Sequence, residues 1–227
     1  MSFAFAGYEL DEKEILRARD KFFKKMRIAA KEAVGLWIQH KNDVVVVGSN
    51  SAGCGMINKD TAVKADGLVT NTKGLLIFMV VADCMPVILY DKQKDVVGLV
   101  HIGWRNADSN TVGVAVNKLK SKFGSANSNI IVGIGPVVRK DSFIKQNPSQ
   151  KDDPKWKPFL EKISDDLYKI DVVGLCKKEL VDVGVLAKNI FDCGIDTAQD
   201  VRFFSHVRDK DLPKRNQGRF ACVVGML

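Results

Sequence analysis

The stretch Val80–Asp91, VVADCMPVILYD, decides how this chain folds. Apolar, mostly β-branched residues enclose an Asp–Cys pair, and Pro86 follows two positions after Cys84. An ionisable group inside a buried strand is costly unless it is partnered. A proline cannot donate to a β ladder, so it marks a strand start or a break. The run therefore reads as two strands meeting at a polar edge: GLLIFMVVADC (74–84) ends one and PVILYD (86–91) is the next.

Working outward, DVVGLVHIGWR (95–105) is a third strand followed by a turn, and NIIVGIGP (129–136) is another buried strand. Upstream, DVVVV (43–47) is a short strand and the Gly-, Ser- and Asn-rich GSNSAGCG (48–55) is a loop. Helical spacing of Ile15, Phe22, Phe23, Met26, Ile28 and Ala29 predicts a surface helix over 10–34, with a break near Met26. A second helix is expected over 108–123, capped by Asp108 or Ser109. A third is expected over 165–185, ending at a glycine suited to a C-cap. NIFDCG and VRFFSHVRD read as short strand-like pieces, and GRFACVVGML as a C-terminal strand. The polar, proline-rich NPSQKDDPKWKPFL (147–160) reads as an exposed loop or insertion. No internal repeat and no linker between equal halves is evident. The expectation is one α+β (mixed α/β) domain over residues 1–227, with mixed β-sheets flanked by helices.

The bulk numbers agree. A chain of 227 residues with 46% hydrophobic content can bury one sizeable core. No apolar run reaches 18 residues, so neither a transmembrane helix nor a membrane partner is expected. MSFAFAGYELDEKE turns acidic by Asp11 and lacks the layout of a signal peptide, which points to the cytoplasm. Five widely spaced cysteines, an odd number with no CxxC, fit reduced thiols rather than a disulfide framework. The net charge of +8 fits either attraction to anions or a lysine-rich solvated surface. No RNP-like or zinc-finger pattern accompanies it, so no nucleic-acid partner is expected, whereas a small phosphate-bearing substrate is compatible. Nothing in the sequence requires a second subunit, and a monomer is compatible with it.

Three polar groups fall at strand ends, where a rigid scaffold meets an open loop. Cys84 ends one strand, His101 ends DVVGLV, and His40 precedes DVVVV in LWIQHKNDVVVV. Cys84 and His101 are 17 residues apart, which fits two strands and a turn, so both can emerge at one sheet edge. Two imidazoles and a thiolate suit zinc or copper and leave a fourth position for water, as in catalytic zinc sites. Zinc lowers the pKa of such a water to about 7. Asp83, beside Cys84, is a candidate second-shell acceptor or acid–base group. Arg105 and Arg208 are forked donors suited to phosphate. On the residues alone the bland readings stay open: Cys84 as an inert core thiol, His101 as a turn-bonding histidine, and the arginines as surface ion pairs. GIGP (133–136) matches no phosphate-loop pattern and reads as a turn, although its amides could face an anion.

Taken together, ADCMPVILYD, HIGWRN, GIGP and the late FFSHVRD…GRFACVV resemble one family. It was long called the laccase-domain or multicopper polyphenol oxidoreductase family. It is better described as zinc-dependent purine nucleoside phosphorylases with adenosine deaminase activity, some of them called peptidoglycan editing factors. Together with ADGLVT, the blocks occur in order from residue 65 to the C-terminus, roughly three quarters of the chain. The resemblance implies a laccase-domain fold and metal ligands at Cys84, at His101 and, through IQHKNDVV, at His40. It implies zinc, or copper under the older label, with Asp83, Cys84 and His101 carrying the chemistry. It also implies phosphorolysis of adenosine, inosine, guanosine and methylthioadenosine to the base and ribose 1-phosphate, with deamination of adenosine. Purine nucleoside and phosphate are then the partners, with Arg105 and Arg208 as phosphate donors.

The sequence also departs from the family pattern. Ile102 and Asn106 stand where HAGWRG has Ala and Gly, Val207 replaces the first Arg of RRD, and VVRKDSF follows GIGP in place of the usual Cys and Tyr-Glu. The family's TR-x-GG-x-S segment is not recognisable before the first helix. Other classes stay open beside the phosphorylase. One is a metal-free cysteine hydrolase, or an amidase-like editor of peptidoglycan precursors, using Cys84 and His101. Others are an inactive binding homologue and a copper polyphenol oxidase (laccase), for which a single three-ligand site supplies too few coppers.

Overall fold

In a computed structural model of the chain, which describes residues 12–213 and 216–227, the 80–91 stretch is a corner between two sheets. In chain order the elements are α1 (Glu12–Met26), β1 (Ala33–Ile38), β2 (Val44–Val46), β3 (Val63–Ala65), β4 (Gly67–Thr70), β5 (Leu76–Val81), β6 (Met85–Asp91) and β7 (Val96–Ile102). There follow α2 (Trp104–Ala107), α3 (Thr111–Phe123), β8 (Ile131–Ile134), β9 (Ile144–Gln146), β10 (Leu160–Lys162) and β11 (Leu167–Ile170). The last are α4 (Val172–Asp182), β12 (Ile190–Asp192), α5 (His206–Asp209) and β13 (Phe220–Gly225). A four-stranded sheet has the order β13-β5-β1-β3, and a six-stranded sheet β12-β8-β6-β7-β4-β2. A small antiparallel sheet, β10-β11-β9, stands apart from both.

β5 is continuously apolar because both its faces are covered. Phe78 and Val80 meet Phe23 of α1 on one side. Ile77, Met79 and Val81 meet Leu68 and Leu99 of the six-stranded sheet on the other. The far face of that sheet carries α3 and α4, with Val112, Val116, Leu119, Leu175 and Leu180 buried against it. The layers thus run helix, sheet, sheet, helix, which is the mixed α/β architecture the sequence predicts.

The chain passes from the four-stranded to the six-stranded sheet three times: from β1 to β2, from β3 to β4 and from β5 to β6. The residues between these strands are His40 and its neighbours, Asp66, and Ala82–Cys84. Each is a place where the strand must stop and turn, so polar side chains and strained backbone collect there. His40 and Asp83 both have positive φ, 56° and 74°, a conformation more easily adopted by Asp and His than by β-branched residues. Among the described residues, no helix is long and apolar enough to cross a membrane.

Several expectations are corrected. The helix expected over 10–34 ends at Met26, and Ala33 and Val34 already belong to β1; positions 10 and 11 lie outside the described residues. Arg27, with φ 56°, breaks it near the predicted point. The cap of α3 is Asn110, whose side chain accepts from the Gly113 amide, rather than Asp108 or Ser109. The expected third helix begins only at Val172, capped by Asp171. Residues 167–170 are drawn into pairing with β9 and β10 instead. The VRFFSHVRD piece ends in the short helix α5, capped by Ser205, not in a strand.

The segment 147–160 is not merely an exposed loop. Trp156 within it is fully buried, packs at a tilt against Trp104 with ring centroids 4.7 Å apart, and donates its indole N–H to Asp108. One large aromatic side chain anchors a segment whose average composition is polar. Trp156→Ala is expected to destabilise the fold by about 3–5 kcal/mol, read as a lowered urea midpoint.

Candidate metal centre

Cys84 lies at the mouth of β6, opposite the end of β7. Met85 pairs with Ile102 and Pro86 with His101, so the thiol and the imidazole emerge at the same sheet edge. His40 arrives from the end of β1, and the rings of His40 and His101 meet edge-on with centroids 5.0 Å apart. The ligand atoms of His40, Cys84 and His101 all lie within 4.8 Å of one another. His101 is buried, Cys84 half-buried and His40 exposed. This is a soft, nitrogen–sulfur donor set of three with an open side, which fits a zinc- or copper-type ion and not a hard oxygen-seeking cation.

Asp66, fully buried at the second sheet crossing, organises the set. Its Oδ1 accepts from the His40 amide at 2.8 Å and its Oδ2 from the Lys41 amide at 2.6 Å. The same Oδ1 lies 3.4 Å from His101 Nδ1. That contact turns the other ring nitrogen of His101 toward Cys84, as carboxylates behind metal-binding histidines do. Asn106 reinforces it: its side-chain amide donates to the His101 carbonyl at 2.7 Å, and its Oδ1 accepts from the Gly103 amide at 2.6 Å. Gly103 lets the backbone pass close to the cluster. A Cβ there would sit 3.2 Å from Cys84 Sγ and 3.3 Å from His101 Cε1.

The electrostatics follow from this crowding. Burial alone would push the Cys84 thiol up, but the charge and hydrogen bond of His101, with His40 assisting, bring it down to about 6. Burial would push His101 down; the Cys84 thiolate and the Asp66 carboxylate hold it up at about 9. Burial would likewise raise Asp66, yet His101 and the two backbone amides keep it below the usual carboxylate range. Without a metal the centre is therefore a thiolate–imidazolium pair backed by a carboxylate. Cys176 and Cys222 have no such partners, and burial pushes both thiols up, Cys222 to about 12.

The centre sits where two cavities meet. An apolar pocket of about 160 Å³ is walled by Ile102, Trp104, Val138, Phe143 and Val172. A polar cleft of about 630 Å³ runs past His40, Arg105, Gln146 and Gln150. Cys84, Gly103, Trp104, Lys145 and His206 line both. The segment 147–160 thus contributes to the cleft wall through Pro148, Ser149 and Gln150.

Arg105 is exposed and lines the polar cleft beside the cluster. Arg208 is turned into the fold: its guanidinium donates to both oxygens of Asp209 and to the carbonyls of Thr197 and Phe203. Its donors are already used, and it lines neither cavity. Asp83 is also committed. Its two oxygens accept from Thr197 Oγ1 and from the Val207 amide, both at 2.6 Å. It therefore ties the Cys84 corner to the start of α5, which carries His206, and it also lines the apolar pocket beside Cys84. Asp66 and Asn106 were not foreseen. Asp66 lies in the quoted ADGLVT, where a carboxylate just before a strand is the one sequence signal of its role.

The protein thus has a mixed α/β fold with a half-buried His–Cys–His centre at a sheet corner. The chain belongs to the family described as multi-copper polyphenol oxidoreductase laccase, whose model matches residues 4–227. It is 30% identical over 190 residues to a purine nucleoside phosphorylase of Staphylococcus saprophyticus, covering 82% of this chain and 70% of that protein. Purine nucleoside phosphorylase YlmD of Bacillus subtilis is also 30% identical, over 198 residues, with 82% and 68% covered. Among solved structures, YlmD from Geobacillus stearothermophilus matches with a TM-score of 0.89 at 24% identity, covering 100% of this chain and 86% of that one. The hypothetical protein YfiH of Bacillus licheniformis matches with 0.87 at 23%, covering 98% and 85%. At those identities the two structures bear on the fold alone, which they share.

Two outcomes are expected. Asp66→Asn removes the charge behind His101 and should lower the centre's affinity for a divalent metal by about 10- to 100-fold, measured by competition with a chromophoric chelator. In metal-stripped protein, iodoacetamide labelling of Cys84 should rise as pH passes about 6, the value to which its thiol is depressed, because the thiolate is the nucleophile. Cys176 and Cys222 should stay unlabelled there, and added metal should protect Cys84; peptide mass spectrometry resolves the sites.

Proposed function

We propose that this protein is a zinc-dependent purine nucleoside phosphorylase acting on adenosine, inosine, guanosine and methylthioadenosine, with adenosine deamination as a second activity, in the cytoplasm. The observation that carries the reading is the position of the His40–Cys84–His101 cluster, at the junction of an apolar pocket and a polar cleft. Relatives named purine nucleoside phosphorylase, at 30% identity over most of the chain, support it. So do the five free thiols, for the compartment.

In this reading Trp104 and Phe143 bound the slot for the purine, whose flat face suits aromatic walls. The ribose then lies beside Cys84 and Gly103, and phosphate enters through the polar cleft toward Arg105. A phosphate oxygen forms a bond to C1′ while the C1′–N9 bond breaks. The electron pair leaves with the base, which takes up a proton, and ribose 1-phosphate remains. Arg105 neutralises charge on the incoming phosphate, a preorganised electrostatic contribution. Asp83 fixes the corner and the start of α5, and Asp66 and Asn106 hold His101. His40, Cys84 and His101 hold the metal, with Cys84 as thiolate. A zinc ion there supplies Lewis acidity and activates water near neutral pH, which is the chemistry hydrolytic deamination needs; the same donors accept copper.

A second reading rests on the Cys84–His101 pair itself. A thiolate next to an imidazolium is the arrangement of a cysteine nucleophile. Metal analysis separates the two. Purified protein is expected to carry one zinc per chain and to release hypoxanthine from inosine only when phosphate is supplied. Cys84→Ala should lose both the zinc and the turnover. Protein free of zinc, or hypoxanthine release that ignores phosphate, would sink the phosphorylase reading.

A further inference from the structure

We propose that Lys145 on β9 is the second cation of the phosphate site. Together with Arg105, it seats the anion against the sugar carbon. The proposal rests on the phosphorylase reading and adds to it a residue that no sequence pattern pointed to. A phosphate dianion in an open cleft, where both Arg105 and Lys145 are exposed, needs more than one cationic donor to be held in line with the bond it forms. Arg208 cannot be one of them, because its donors go to Asp209, Thr197 and Phe203. The sequence also has Val207 where the family pattern has a further arginine.

The cleft itself offers two basic side chains other than histidine among the described residues that line it, Arg105 and Lys145. They are not equivalent. Arg105 lines the polar cleft alone, whereas Lys145 lines both the cleft and the apolar pocket, as Cys84 and Gly103 do. A base in the pocket and an anion in the cleft would meet at that shared wall, which is where C1′ must lie.

Lys145 is also held ready. Its Nζ lies 5.5 Å from the centroid of the Phe143 ring, so the stem is braced by an aromatic face that needs no counter-charge. Lysines nearby are neutralised: Lys169 by Asp141 and Glu161, Lys140 by Glu161, Lys162 by Asp165. No carboxylate pairs with Lys145 among the described residues. The one carboxylate lining the cleft, Asp108, is already engaged by Trp156 Nε1 and Gln150 Nε2.

The test compares Lys145→Gln and Lys145→Arg with the unmodified protein and with Lys120→Gln, a same-charge control on the exposed side of α3. Phosphorolysis of inosine is followed at varied inorganic phosphate, and phosphate binding is measured separately by titration calorimetry without nucleoside. Lys145→Gln is expected to raise the KM for phosphate and weaken its binding by about 10- to 100-fold, the worth of a charge-assisted contact. The KM for inosine should move less than about twofold. Lys145→Arg should recover most of the loss, which a merely structural role would not predict.

If the unmodified protein turns over inosine and Lys145→Gln leaves the phosphate KM and binding unchanged, the anion site is wrong and the phosphorylase reading stands. An equal loss in Lys120→Gln overturns it as well, by making the effect one of general charge. If phosphate binds and Lys145→Gln abolishes that binding, yet no hypoxanthine is released by the unmodified protein, the anion site stands and the phosphorylase reading falls. Absence of both phosphate binding and turnover in the unmodified protein overturns both.

Discussion

The Asp66 carboxylate is the contact on which the candidate centre depends. It stands where the chain crosses between sheets, accepts two amides from the turn that carries His40, and faces the ring of His101. One buried anion therefore joins the end of β1 in the four-stranded sheet to the end of β7 in the six-stranded sheet. A buried carboxylate is tolerated because its oxygens are hydrogen-bonded and a cation lies alongside. Removing it would free a loop and a ring together, which is why its effect reaches past its own contact.

The three sheet crossings explain why chemistry gathers at this edge. A strand interior cannot keep a free polar group, because its backbone is paired and its faces are packed. At a crossing the ladder stops and the backbone turns, so His40, Asp66 and Cys84 can converge on His101. Asp83 serves this architecture by bonding Thr197 and the Val207 amide, which ties the Cys84 corner to the segment leading into α5. The cavity pair then divides by chemistry: aromatic and aliphatic walls on one side of the cluster, cationic and amide groups on the other.

Much of this was legible from residue order. The interruption of an apolar run by Asp83–Cys84–Met85–Pro86 marked a strand junction, and the 17-residue spacing to His101 allowed one edge to carry both groups. The structure brings them and His40 into one cluster. The failures have local causes. Residues 167–170 carry a helix-compatible pattern, but two neighbouring strands offer them a ladder. The polar average of 147–160 hides one tryptophan whose burial decides where the segment lies. Arg208 has the right chemistry for phosphate, but Asp209 and two carbonyls reach it first.

By itself, then, the sequence determined the apolar strands around the quoted stretch, where they break, and which side chains stand at the breaks, because hydrophobic period and proline are local properties. Only the tertiary structure decided which breaks face each other. Asp66 is 26 residues from His40 and 35 from His101, and no local rule links them. Nor does any local rule place Lys145 and Cys84 on the wall of one cavity. Their meeting depends on sheet order and on packing between layers, which are set by the whole chain at once.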